Sequence, residues 1–343
     1  NGVFTYRAMT DKAPVHYAGD VPWYLTPPAD LVAWRERAAL VLGLLVRLHE
    51  EPVTLALLGW TLSTLVAPHI RQARLGAWSG LWVWGQQGSG KTTTIKQFLQ
   101  ILAVPRPWQG VETSSTLVGI QRALSSTNTV PVFVDDPRRR MRYEAEREAL
   151  YGIFRAVFDG ATVLLANVNK RSSAHALATR ELLAPTIVAS EHAIEHDPAL
   201  EERYLYVPTH RAWVDETDGR VLNALEREDV AELAAGFYWH VWTLDVKEMW
   251  KRLAQYAIPL KGAGPRQRAA ITQILLGLEI ANDIAPALGL EGRFSEIAEM
   301  LWARAWEQED AATRASGSST ETFRHLYLTI LNLIDRRVFV EGQ

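Results

Sequence analysis

The sequence of 343 residues contains no cysteine. That excludes disulfide bridges, cysteine-ligated zinc and a thiol nucleophile, and it fits a reducing, cytoplasmic interior. Net charge is also scarce: 36 basic against 39 acidic side chains leave −3. A chain so near neutrality exerts no global pull on nucleic acid, so any such binding has to use a local patch or a pore. No internal repeat, long low-complexity tract or signal peptide is visible. Long uncharged runs are rare. One, Val53 to Ile70, approaches membrane-spanning length, but Gly59, Pro68, His69 and several hydroxyl residues interrupt it, and Glu50-Glu51-Pro52 precedes it. It reads as a buried helix of a soluble domain without membrane contact. What is present is ordinary globular composition, 48% hydrophobic and 22% charged, with ample length for a large core. The chain starts at Asn1 without a methionine, which suggests a part excised from something longer.

The most informative stretch is Leu81-Trp82-Val83-Trp84-Gly85-Gln86-Gln87-Gly88-Ser89-Gly90-Lys91-Thr92-Thr93-Thr94. An apolar strand ends at Gly85, a glycine-rich loop follows, and Lys91-Thr92 opens a helix. This is G-x-x-x-x-G-K-T in the context it requires. Gly85, Gly88 and Gly90 let the backbone curl so that its N–H groups, with those of Ser89 and Thr93, can meet phosphate oxygens. The start of the helix adds unpaired N–H groups and the positive end of its dipole. Lys91 is placed to reach the β- and γ-phosphates of ATP, and the Thr92 hydroxyl to ligate Mg²⁺.

Around this loop the chain divides into four expected parts. Residues 1–28, rich in proline, glycine and aromatics, read as an extended arm. Residues 29–77 read as an N-terminal helical pair: Asp30 caps a helix from Leu31 to His49, and Pro52 starts a second, to about Val66. Residues 78–210 alternate strands with helices, which predicts a mostly parallel sheet between helices. Residues 211–343 turn helical, with helices expected over Leu222–Leu244, Val246–Tyr256, Arg266–Leu288, Phe294–Trp306 and Phe323–Ile334.

Within the alternating part, Thr129-Val130-Pro131-Val132-Phe133-Val134-Asp135-Asp136 is a strand ending in two carboxylates. Asp135 is expected to order Mg²⁺ and Asp136 to polarise the attacking water. Another apolar strand, Pro185 to Ser190, ends in polar Ser190-Glu191 and would lie near a γ-phosphate if it sits beside the Asp136 strand. Asn169-Lys170-Arg171 forms a compact basic turn between two short β segments, suited to salt-sensitive, sequence-independent phosphate contact.

The order of these parts resembles the superfamily 3 viral helicases of the AAA+ class, above all the papillomavirus and polyomavirus types. Phe158-Asp159-Gly160-Ala161-Thr162-Val163, then Asn169-Lys170-Arg171, then Leu183 to Ser190, then Glu202-Arg203-Tyr204-Leu205-Tyr206 follow the glycine loop and the paired aspartates, over about residues 80 to 207. The resemblance implies an AAA+ P-loop NTPase core, with Asn169, Lys170 and Arg171 at a hairpin tip gripping one DNA strand in a central channel. It makes Ser190 the sensor, and Arg203 an arginine finger acting on a neighbouring subunit's ATP, with Arg180 and Arg155 as alternatives. Two positions depart from the pattern: Ser190-Glu191 replaces the usual sensor asparagine, and Arg171 stands where a histidine often follows the tip lysine. Arg138-Arg139-Arg140 has no counterpart there, and suggests a subunit or DNA contact.

The resulting expectation is an ATP- and Mg²⁺-dependent ring, a hexamer, that unwinds DNA in replication of a phage, plasmid or mobile element. The same arrangement occurs in helicase modules fused or associated with a primase. Two other classes compete: an AAA+ ATPase that remodels a protein partner, and a degenerate P-loop domain that only oligomerises a primase. The first would show ATPase activity indifferent to DNA. Intact Lys91, Thr92, Asp135 and Asp136 argue against the second.

Overall fold

The computed structural model describes residues 4–6, 15–17, 28–102, 111–112, 116–137, 143–165, 178–194, 197–209, 216–227 and 233–316. Asn169, Lys170 and Arg171, Arg138 to Arg140, and the expected helix Phe323–Ile334 lie outside these residues. Within residues 1–28, β1 (Phe4–Tyr6) pairs antiparallel with β2 (Val15–Tyr17).

Helix α1 (Leu31–Leu45) starts where Asp30 accepts hydrogen bonds from the Val32 and Ala33 amides, at 2.8 and 3.0 Å. It stops before the expected His49. Tighter bonds from Arg47 to the Leu44 carbonyl and from Leu48 to the Leu45 carbonyl turn the chain toward Pro52. Helix α2 (Glu51–Ser63) passes through a 3₁₀ turn, Thr64–Val66, into α3 (Ala67–Gln72). Pro68 explains the break, since it has no N–H to offer the preceding turn. By length and composition Glu51–Gln72 could cross a membrane, yet 94% of its most apolar window is buried inside the protein. Arg71 ties its end to the sheet side through the Leu183 and Val157 carbonyls. Burial lowers the guanidinium pKa to about 10, so the group stays charged at neutral pH.

The central sheet has five parallel strands. From one edge they are β4 (Val111–Glu112), β5 (Val132–Asp135), β8 (Thr186–Ser190), β3 (Gly80–Trp84) and β9 (Tyr204–Pro208). The strand carrying the glycine loop and the strand carrying the two aspartates are therefore not neighbours. β8 runs between them, as its unbroken apolar run fits. The edge strand β4 is only two residues long. The hairpin expected after Asp159-Gly160 is present in its arms: β6 (Thr162–Leu165) pairs antiparallel with β7 (Ala178–Glu181), the second arm lying farther along the chain than the turn suggested.

Side-chain alternation splits the core. Leu81, Val83, Phe133, Ile187, Ala189, Leu205 and Val207 face a layer of helices that includes α1, α2 and α4 (Lys91–Gln100). Trp82, Val132, Val134 and Val188 face α5 (Leu117–Leu124), α6 (Glu144–Asp159) and the short α7 (Pro198–Glu201). Trp82 is the centre of that second core, edge-on to Tyr151, Phe154 and Tyr204.

The helical layer that takes α1 and α2 also takes helices from the C-terminal part of the chain. It contains α8 (Glu216–Arg227), α9 (Ala234–Val241), α10 (Val246–Ala257), α11 (Pro265–Ile284) and α12 (Phe294–Ser316). Of the helix expected over Leu222–Leu244, Leu222–Arg227 lies in α8 and Ala234–Val241 forms α9, and residues 228–232 between them lie outside the described residues. The indole N–H of Trp34 donates to the Leu233 carbonyl at 3.0 Å, and its ring occupies the space beside Gly236, so α1 wedges against the start of α9. α2 and α11 cross backbone to backbone: a Cβ on Gly277 would land on the Gly59 carbonyl. Beside that crossing, the Gln273 amide pairs with both the N–H and the carbonyl of Ser79, each at 3.1 Å, at the foot of β3.

Candidate nucleotide site

The glycine loop leaves β3 at its C-terminal end, where parallel α/β sheets bind ligands. Gly88 and Gly90 have φ of 81° and 83°, the left-handed region that glycine enters without steric cost. Gly85 is needed for space, since a Cβ there would strike the Thr209 carbonyl and hydroxyl. Gly90 stands at the N-cap of α4, so the first amides of that helix open onto the loop.

A cleft of about 400 Å³ lies over this loop, lined by Gln87, Gly88, Gly90, Lys91, Thr92, Thr93, Asp135, Asp136, Ala189, Ser190 and Glu191. The sequence separates these groups by a hundred residues, and the parallel strands bring their C-terminal ends together. Lys91 is buried, its ammonium donating to the carbonyls of Gly85 at 2.7 Å and Gln86 at 2.9 Å and to the Ser89 hydroxyl at 3.3 Å. The Thr92 hydroxyl donates to the Asp135 carboxylate at 3.0 Å.

Burial pushes the Asp135 pKa up, and Asp136 adds to the rise. The Thr92 hydrogen bond, Lys96 and Lys91 oppose it. The Thr92–Asp135 pair fits Mg²⁺. Both ligands are hard oxygens, Mg²⁺ uses few protein ligands alongside phosphate oxygens, and a cation there would offset the burial of the carboxylate. No cluster of three or more His, Asp or Glu offers another metal site among the described residues.

Asp136 adopts φ of 43° while its amide donates to the Ala189 carbonyl at 3.0 Å. Left-handed backbone is uncommon outside glycine, though aspartate and asparagine tolerate it best. The turn swings Asp136 off the strand line at the mouth of the cleft. Ser190 ends β8 directly between the two motif strands and is 1% exposed. Its hydroxyl accepts from the His192 amide at 3.1 Å, so it both shapes the turn and faces the cleft.

Arg203 is elsewhere. β9 begins at Tyr204 opposite Gly80 and ends at Pro208 opposite Trp84, which puts Arg203 at the far end of the sheet, roughly 17 Å along the strand from the loop. Its side chain is 12% exposed, 3.6 Å from Asp159 and stacked on Phe158, and it donates to the Ala199 carbonyl. Of its alternatives, Arg155 is bound to Asp197, and Arg180 lies in β7 opposite Val163.

Two contacts carry no sequence signal of their own. The Ser89 hydroxyl lies 2.8 Å from the Thr209 hydroxyl just past β9, and the Ser89 carbonyl lies 3.3 Å from Nε2 of His49. No pattern links His49 or Thr209 to the loop, because the fold alone brings them there.

No protein-family model matches the chain, and no curated protein sequence matches it. Among solved structures, the SCCmec type IV Cch protein, described as an active helicase, superposes with a TM-score of 0.55 at 14% identity. The match covers 92% of this chain and 56% of that one, so this chain spans little more than half of the Cch chain. JCV helicase, solved with a bound small molecule, matches at a TM-score of 0.36 and 14% identity over 74% of this chain and 67% of that one, too weak a likeness to bear on the fold. The Cch likeness concerns the fold alone, and on the fold it agrees with the motif order: the chain has the α/β P-loop architecture of a solved helicase.

Proposed function

We propose that the chain is an ATP-dependent DNA helicase of superfamily 3 type, acting as a hexameric ring in replication of a phage, plasmid or mobile element and forming the C-terminal part of a primase–helicase. The observation that carries the ATPase part is the 3.0 Å bond between Thr92 and Asp135, which unites the two halves of the motif in one cleft. The helicase part is supported by the motif order and by the shared fold with the Cch helicase.

In this reading the amides of Gly88, Ser89, Gly90 and Thr93 cradle the phosphates, with Gly85 as the pivot of the loop. Lys91 exchanges the Gly85 and Gln86 carbonyls for β- and γ-phosphate oxygens. Thr92 and Asp135 hold Mg²⁺, which when bound neutralises charge on those oxygens. Asp136 orients the attacking water and accepts its proton. Ser190, with Glu191 beside it, faces the γ-phosphate and reports its loss to β8. Arg203 of a neighbouring copy completes the site by exchanging the half-exposed Asp159 for the transition-state phosphate. Asn169, Lys170 and Arg171 grip single-stranded DNA in the channel.

The test measures ATP hydrolysis with and without single-stranded DNA, and duplex unwinding, for the parent, Lys91→Ala and Lys170→Ala. Lys91→Ala is expected to lose both activities, and Lys170→Ala to keep basal hydrolysis while losing unwinding. Full unwinding by Lys170→Ala would remove the hairpin assignment. Hydrolysis indifferent to DNA, with no salt-dependent DNA binding, would instead identify an ATPase that remodels a protein partner.

A further inference from the structure

One buried imidazole outside the motifs touches the nucleotide loop. His49 lies in the turn between α1 and α2 and is 8% exposed. Its Nδ1 stands 2.8 Å from the Glu50 amide nitrogen, and its Nε2 3.3 Å from the Ser89 carbonyl oxygen. A backbone N–H can only donate, so Nδ1 is the acceptor and a neutral ring carries its proton on Nε2. That N–H donates to the Ser89 carbonyl.

The turn that carries the ring is itself anchored. Glu50 pairs with Arg304 of α12 at 2.7 Å, and Glu51 pairs with Arg293 at 3.0 Å. The Thr209 hydroxyl holds the Ser89 side chain on a second contact. A trans peptide is planar, with its carbonyl and N–H pointing in opposite directions. Drawing the Ser89 carbonyl toward His49 therefore aims the Gly90 N–H the other way, and Gly90 lines the cleft.

We propose that His49 is a positioning residue: it fixes the Ser89–Gly90 peptide so that the Gly90 amide is presented to the phosphates of the nucleotide. The inference rests on the nucleotide reading of the cleft. It also means that the N-terminal helical pair, anchored by α12, sets the affinity of a loop to which it contributes no motif residue.

Two substitutions separate this role from core filling. In His49→Gln the amide nitrogen reaches the position of Nε2 and can donate to the Ser89 carbonyl. In His49→Asn the side chain ends at the position of Nδ1, short of Ser89. The measurement is calorimetric binding of ATP with Mg²⁺ to the full chain, with steady-state hydrolysis and urea unfolding alongside. We expect His49→Asn to weaken ATP binding and raise KM by roughly 5- to 30-fold, the factor for one buried hydrogen bond. Its kcat at saturating ATP is expected to stay within about 2-fold, because the contact acts on bound ground state and transition state alike. His49→Gln is expected to bind within about 3-fold of the parent. ATP binding by His49→Asn equal to the parent's, or by His49→Gln as weak as that of His49→Asn, would overturn the positioning role alone. A parent that binds no ATP would overturn the nucleotide reading and this role with it.

Discussion

Asp136 shows how a single residue can be legible in chemistry and hidden in conformation. The pair Asp135-Asp136 at a strand end reads as metal ligand and water-orienting group from sequence, but nothing in the pattern reveals that Asp136 leaves the strand with φ of 43°. The structural reason is the end of the ladder: the Asp136 amide makes the last bond to β8, at the Ala189 carbonyl, and the chain then turns. The type of residue matters twice. Asp136→Asn keeps a side chain that tolerates this backbone and loses the proton acceptor. It is expected to unfold at the parent's urea midpoint and bind ATP, with hydrolysis reduced about 100-fold or more. Asp136→Val is expected to lose about 1–2 kcal/mol of stability besides, since a β-branched residue resists left-handed backbone. A fully active Asp136→Asn would move the water-orienting role to another group, with Glu191 the other carboxylate lining the cleft besides Asp135.

At the scale of elements, the core strands are readable as short, unbroken apolar runs, as strands buried on both faces must be, and the glycine loop because each glycine meets a local steric demand. Helix ends are less legible: α1 stops four residues before His49, and α9 stops at Val241 rather than Leu244, each in a tight turn whose placement is a tertiary event. The crossing of α2 and α11 is another such event. Nothing in the sequence pairs Gly59 with Gly277, yet these two residues let the helices touch through their backbones. Gly277→Ala would place a methyl group on the Gly59 carbonyl and the Ser63 amide. It is expected to lower stability by about 1–3 kcal/mol or more, since backbone cannot yield as a side chain can. Gly43, in α1, is the control, because a Cβ there meets nothing. Gly43→Ala is expected to raise stability by about 0.5–1 kcal/mol. Urea midpoints of the two variants test both signs, and equal shifts would refute the packing account.

At the scale of the whole molecule, one copy holds only half of the proposed site. Lys91, Thr92, Asp135 and Asp136 share a cleft, and Arg203 sits at the opposite end of the sheet on its own chain's Asp159. If Arg203 acts on a neighbour, Lys91→Ala and Arg203→Ala should each be nearly inactive alone, the latter by about 10³-fold or more. Mixed together, they should regain part of the parent's hydrolysis, because a subunit with Lys91 can adjoin a subunit with Arg203. Specific activity of the parent should also rise with protein concentration as rings form. No recovery on mixing, with both variants folded and associated, would place the finger elsewhere.

What is legible in the sequence is the glycine loop, the two aspartates, the alternation that makes a parallel α/β sheet, and the apolar stretch Val53–Ile70 as buried and helical. Each of these depends on local sterics, on hydrogen-bonding chemistry or on a short period, and such properties belong to neighbouring residues. Only the tertiary structure decided that β8 separates the two motif strands, that the N- and C-terminal helices share one layer against the sheet, and that His49 and Thr209 hold Ser89 between them. Those are contacts between residues far apart in the chain. Many sequences could satisfy them and no local pattern encodes them, so packing alone selects the partner.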